Sequence, residues 1–363
     1  MHARTDPPLS YRQYLALDRL LDCQHPESAR RGTAAHDEML FITTHQTYEL
    51  WFKQILFELD AVQAIFARAP IPERDVGQAV RGLARIHAIL ALGVHQVDVL
   101  ETMAPADFLE FRDLLNPASG FQSLQFRLLE IRLGLRPEDR LDYDAKGYAA
   151  RLDAEDRPRI EAAEAAPSLI MLIDAWLART PFVEFGGFDF RQAYRDAVGR
   201  ALGGDLARLT DSPELSDAQR RADRQALEAA LERFDAIFDP AAHAEAGWRL
   251  SARALQAALF IELYRDEPML QLPFRLLEAL KDVDETLTLW RRRHALMVER
   301  MIGRKLGTGG SSGADYLSAA ADRHRVFGDL FALSTYLVPR SSLPPLPEPL
   351  SRGLAFGYSD ASS

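Results

Sequence analysis

Two histidines lying on apolar helix stripes are the residues whose type and spacing could do chemistry. In His36-Asp-Glu-Met-Leu-Phe-Ile-Thr-Thr-His45-Gln-Thr-Tyr-Glu-Leu-Trp-Phe-Lys-Gln54, the residues Phe41, His45, Tyr48, Phe52, Ile55 and Leu59 recur at steps of three and four and share one helix face. Val283, Leu287, Trp290, His294, Met297 and Met301 form a second such stripe. A buried imidazole has two ring nitrogens to satisfy. Each histidine is therefore either a core residue bonded to a nearby carbonyl or one that faces a ligand or a metal. The remaining histidines (His2, His25, His36, His87, His95, His243, His324) give no His-Glu-x-x-His pattern and no i, i+4 pair. His36 and His45 fall on opposite helix faces, and His87 and His95 lie more than ~10 Å apart along a helix axis. The pattern disfavours a site of several histidines and leaves open a cofactor that needs only one.

His294 is the candidate for that single ligand. A proximal haem histidine requires a helix, an apolar wall and an outward lone pair, and Arg291, Arg292 and Arg293 beside it could reach acidic groups such as haem propionates. Beyond it comes Gly307-Thr-Gly-Gly-Ser-Ser-Gly313. This run follows a helix, so it is no nucleophile elbow, and no Lys-Ser/Thr follows its last glycine, so it is no Walker loop. It offers backbone N–H groups and hydroxyls to an anion, or else serves as a flexible linker. Phe108 and Arg112 stand one helical turn apart, a pairing that suits an aromatic amino acid, ring on phenylalanine and carboxylate on guanidinium.

The elements that must position these groups are helical throughout, and the expected fold is all-α. Ser10 to Gln13 reads as a capping box opening a helix through Leu21. Further helices are expected near 36–68, 73–103, 106–116, 121–135, 168–179, 190–202, 216–238, 243–265, 273–303 and 314–335. No period-2 alternation marks a strand. Residues 200–240 read as a charged helical appendage, and the proline-rich stretch from Pro339 should lie extended over the surface. A formal charge of -10 argues against nucleic acid or acidic membranes as partners. The single cysteine, Cys23, rules out an internal disulfide. With no signal-peptide core at the start and no apolar run near the ~20 residues of a span, a cytoplasmic protein is expected.

Taken together, His36 to Ile42, His45 to Ile55, Phe111-Arg-Asp, Pro117-Ala-Ser-Gly-Phe-Gln-Ser-Leu-Gln-Phe-Arg127, Trp290, His294 and Gly307 to Gly313 closely resemble the tryptophan 2,3-dioxygenase family. The resemblance runs from Tyr11 to about Arg340, and the appendage resembles the longer form typical of animal enzymes. It implies one all-helical domain of the haem dioxygenase type, binding haem b and using O2 to open the indole C2=C3 bond of L-tryptophan, with N-formylkynurenine as product. His294 would be the proximal iron ligand, with Trp290 beside it and Ser119 and Gly120 at the haem edge. His45 would accept the indole N–H, Phe41 and Phe108 would wall the ring, Arg112 would hold the carboxylate, and Thr308 would bind the amino-acid head group. Tyr11, Tyr14 and Leu15 would complete a neighbouring subunit's pocket in a homotetramer. The other readings are a divergent relative that inserts one oxygen atom into an indole, and a non-catalytic haem carrier. The presence of Arg112 and Thr308 favours the parent reaction.

Overall fold

The computed structural model describes residues 8–141, 154–210, 216–303, 305 and 313–355. Two single turns, α1 (Tyr11–Tyr14) and α2 (Leu17–Leu20), stand where one helix was expected. The capping box at Ser10 forms, but Ala16 breaks the run with a positive φ of 52°. Neither turn buries a residue, so no packing repays the cost of extending them. After α3 (Glu27–Arg30) come the two long helices α4 (Glu38–Phe66) and α5 (Glu73–Leu100). The buried carboxylate of Glu38 accepts the N–H groups of Glu27 at 2.8 Å and Ser28 at 2.9 Å, capping α3 and fixing where α4 begins.

Helix α6 (Pro105–Arg112) starts on a proline, whose missing N–H costs nothing there. Helix α7 (Leu124–Leu133) is capped by Ser123 and ends at Gly134. Then follow α8 (Arg157–Ala165), which the sequence reading missed, and α9 (Leu169–Leu177). A hairpin of two-residue strands, β1 (Glu184–Phe185) and β2 (Phe188–Asp189), was also missed. Such strands are too short to show a period, but Gly186 and Gly187, with φ of 54° and 88°, are its signal.

The region 200–240, expected as an appendage, takes in the end of α10 (Phe190–Thr210) and α11 (Asp217–Ala236), which pack together, and Phe190, Tyr194 and Val198 near the start of α10 are buried. The helix expected at 243–265 divides at Gly247 into α12 (Pro240–Glu245) and α13 (Ala252–Leu263). The longest helix, α14 (Gln271–Ile302), precedes α15 (Gly313–Arg323) and α16 (Gly328–Ala332). The last two were expected as one helix. They separate where Asp284 of α14 accepts the Val326 N–H at 2.8 Å. The proline-rich tail does not stay extended: it ends in α17 (Glu348–Leu354), which buries Leu350 and Leu354.

Helices α4, α5 and α14 pack side by side and carry the core. Ile55, Leu59 and Val62 of α4, Leu83, Ile86 and Leu90 of α5, and Leu280, Val283 and Leu287 of α14 are all buried. Each such side chain contributes about 1.5–3 kcal/mol relative to exposure. Helix α5 is long and apolar enough by composition to cross a membrane, yet it packs between α4 and α14 as a core helix.

The end of α7 makes a demand on sequence that can be tested. Gly134 holds a φ of 127°, and a Cβ there would clash with Ile170 Cγ2. Gly134→Ala combines backbone strain with a clash and should destabilise the chain by about 2–4 kcal/mol, read as a lower urea midpoint with an unchanged slope.

Candidate functional site

Helices α4, α5, α6, α7, α14 and α15 enclose a cavity of about 290 Å3. Phe41 and His45 of α4, Phe108 and Arg112 of α6, Ser119 and Gly120 of the loop before α7, and Trp290 and His294 of α14 all line it. These sequence-predicted residues are therefore gathered at one place. Thr308 lies outside the described residues. Tyr11, Tyr14 and Leu15 are exposed on the outer surface and do not line the cavity of their own chain.

One wall is built on the apolar stripe of α4. Phe41 stacks on His45 at 4.1 Å between ring centroids and on Phe108 at 5.6 Å. Phe108 meets the fully buried Phe111 edge-on at 5.4 Å. Behind them Val97, Leu100, Met103, Met297 and Met301 form a second apolar cluster. His45 Nδ1 lies 2.7 Å from the Phe41 carbonyl, so Nδ1 carries the proton and donates, leaving Nε2 as a lone-pair acceptor. Burial among the cavity walls lowers its pKa, with the Phe41 carbonyl and Glu49 opposing. His45 is thus bonded to a carbonyl at one nitrogen and lines the cavity.

The opposite wall belongs to α14. Trp290 packs on His294 at 5.2 Å and on Phe126 at 5.1 Å, with Tyr48 and Phe52 of α4 edge-on to it at 5.9 and 6.2 Å. His294 lines the cavity, and its Nδ1 is buried without a hydrogen-bond partner among the described residues. Burial, and next the nearby His45, lower its pKa to about 4. At neutral pH it is an uncharged imidazole with an available lone pair, the form a metal requires.

The two walls meet at a polar end of which the sequence reading had singled out only Arg291. Arg127 and Glu130 of α7, Arg291 of α14, Tyr316 of α15 and His324 line it. Tyr316 stacks edge-on against Phe121 at 5.1 Å. Burial would raise the Glu130 carboxyl, but Arg127, His324 and Arg291 hold it well below the usual carboxylate range. Arg291, Arg292 and Arg293 do not form a free basic run. Arg291 pairs with Glu130, Arg292 with Asp322 of α15, and Arg293 with Asp98 of α5 and with Glu101 just past its end. These pairs tie α14 to three neighbours. Among the described residues no cluster of three or more metal-ligating side chains exists.

A family model described as tryptophan 2,3-dioxygenase matches residues 2–337. The chain is similar to proteins named tryptophan 2,3-dioxygenase from three organisms. That of Bdellovibrio bacteriovorus is 49% identical, over 97% of this chain and 99% of the relative. That of Alteromonas mediterranea is 46% identical, over 96% and 98%. That of Dictyostelium discoideum is 45% identical, over 96% and 88%. The first two of these relatives thus match almost end to end.

The lowered histidine pKa has a consequence for stability. With no ligand bound, the unfolded chain takes up a proton on residue 294 near pH 6.5, whereas the folded chain resists until about pH 4. Stability should therefore fall as pH drops through that window. In urea titrations of the ligand-free chain the decline should be shallower for His294→Gln than for the parent. Equal slopes would contradict the burial of this imidazole.

Proposed function

Because the chain belongs to the tryptophan 2,3-dioxygenase family, its activity is the oxidative opening of the 2,3 bond of the tryptophan indole ring, and we propose that the cavity between α4 and α14 holds haem b against L-tryptophan and yields N-formylkynurenine. The observation that carries this reading is the pair of imidazoles, His45 and His294, on opposite walls of one aromatic cavity with a cationic end.

The residues fit the cofactor. His294 is uncharged and lines the cavity, so it would hold the iron, with Trp290 packed beside its ring. Arg127 and Tyr316 at the polar end suit the acidic side chains of haem. Ser119 and Gly120 would lie along the same edge, and a Cβ at Gly120 would meet nothing within 4 Å. When bound, the haem supplies the binding and activation of O2.

The protein groups bind and orient. Phe41 and Phe108 hold the indole between apolar walls and keep water from it. His45 Nε2 accepts the indole N–H, its tautomer set by the Phe41 carbonyl. It is a positioning acceptor, since its lowered pKa makes it a weak base. Arg112, one turn beyond Phe108, pairs with the substrate carboxylate, and Thr308 takes the amino-acid head group. This fixes the ring against the haem face and converts binding into orientation.

Assembly as a cytoplasmic homotetramer belongs to the same reading. Tyr11 and Tyr14 are each 75% exposed and Leu21 73%, an apolar surface suited to another subunit's cavity mouth. Leu92 and Val99 of α5 with Leu289 and Leu296 of α14 expose a further apolar stripe. Insertion of a single oxygen atom is not favoured, because the relatives matching nearly the whole chain carry the dioxygenase name.

The test is to reduce the haem-loaded protein without oxygen, add L-tryptophan and then aerated buffer, and follow product mass and ultraviolet absorbance. A gain of two oxygen atoms is expected; a gain of one would support the oxygen-inserting relative instead. Arg112→Ala should raise the tryptophan KM about ten- to hundred-fold, the value of a charged hydrogen bond, with a smaller effect on kcat. His294→Ala should abolish stoichiometric haem retention in absorbance titrations, and full occupancy would sink the ligand assignment.

A further inference from the structure

Glu130 takes no part in the steps above, yet it sits at the junction of the helices that form the cavity. Its Oε2 accepts from Arg127 Nη1 at 2.8 Å, three residues back on α7. Its Oε1 accepts from Arg291 Nη2 of α14 at 2.7 Å and lies 3.5 Å from His324 Nδ1. The Leu141 N–H donates to His324 Nε2 at 3.3 Å, so the ring proton rests on Nδ1, facing Glu130. Arg291 Nη1 also donates to the His324 carbonyl at 2.9 Å. The side chains of Glu130, Arg291 and His324 are almost wholly buried, at 3%, 4% and 2% exposure.

Two guanidinium groups and one carboxylate leave a net positive charge in the interior, on the cavity wall. Without Glu130 the two cations would repel one another in a medium of low dielectric. With it, Arg127 and Arg291 are held at a fixed separation. Arg291 precedes His294 by three residues on the same helix, so its position and that of the imidazole move together.

We propose that Glu130 is a positioning residue for the cofactor, cross-linking the α7 arginine at the acidic edge of the haem to the α14 helix that carries the iron ligand. The proposal rests on the haem reading of the cavity. It assigns Glu130 no contact with iron or substrate. Its action is to set the distance between the two ends at which the cofactor is held, through Arg127 and Arg291.

The test uses Glu130→Asp in the full-length haem-loaded protein. Aspartate keeps the charge and can still serve Arg127 on its own helix, but it is one methylene too short to reach Arg291 as well. The charge-balanced pair Glu130→Gln with Arg291→Gln breaks the same link without adding net charge, should the first variant fold poorly. Haem transfer to excess apomyoglobin and the iron–histidine stretching band of the ferrous protein are the readouts, beside the melting of the haem-free chain. A folded variant should lose haem at least ten-fold faster and show a shifted or broadened band. Parental loss rate and band in a folded variant would overturn the proposal. So would faster loss matched by an equal drop in haem-free stability with the band unmoved, since that is what a purely structural pair would give. Failure of the parent itself to bind haem would instead refute the reading beneath it.

Discussion

The contact at Gly93 is the point from which the two walls of the cavity take their spacing. Tyr48 of α4 donates its hydroxyl to the Gly93 carbonyl of α5 at 2.7 Å. A Cβ at Gly93 would lie 3.4 Å from the Tyr48 ring and 3.7 Å from Trp290 of α14. Three long helices thus converge where one of them has no side chain. Tyr48 sits three residues beyond His45, and Trp290 four before His294, so whatever sets the first pair of rings sets the second pair of imidazoles. The burial of α5 between α4 and α14 makes this spacing rigid, because close-packed interiors do not deform smoothly.

Within that frame the cavity is divided electrostatically. Its two walls are aromatic and desolvate both histidines, which lowers the pKa of each. Its far end holds the guanidinium groups of Arg127 and Arg291 around the Glu130 carboxylate. A ligand that is apolar across its face and anionic at one edge matches both regions together. Neither region alone would select it: apolar walls accept many rings, and paired arginines accept many anions. The selection comes from having the two on adjoining surfaces of one enclosed space.

The long helices were legible because their apolar stripes run over many turns, and both histidines could be placed on those stripes from spacing alone. Phe108 and Arg112 were legible for the same reason, as neighbours on one helix face. The polar end was not. Glu130 and Arg291 are 161 residues apart in the chain, and no periodicity relates a carboxylate on α7 to a guanidinium on α14. The same limit explains the arginine run at 291–293. Its charges were plain in the sequence, but the carboxylates that meet them, Glu130, Asp322 and Asp98, come from three other elements. Helix ends were blurred where a tertiary contact rather than a local signal stops the helix, as Asp284 does at Val326. The break at Ala16 has the opposite cause: neither flanking turn buries a residue that could support a longer helix.

That N-terminal segment bears on how the site is completed. An exposed turn of four residues is too short to be stable in water on its own, yet α1 and α2 present Tyr11, Tyr14, Leu20 and Leu21 to solvent. Apolar rings on marginal turns gain stability only by burial against another surface. In the proposed assembly each chain would then gain order at its N-terminus from the subunit whose cavity it covers. Closure of the site and association of subunits would be the same event. Water exclusion around the indole would follow from assembly rather than from the fold of a single chain.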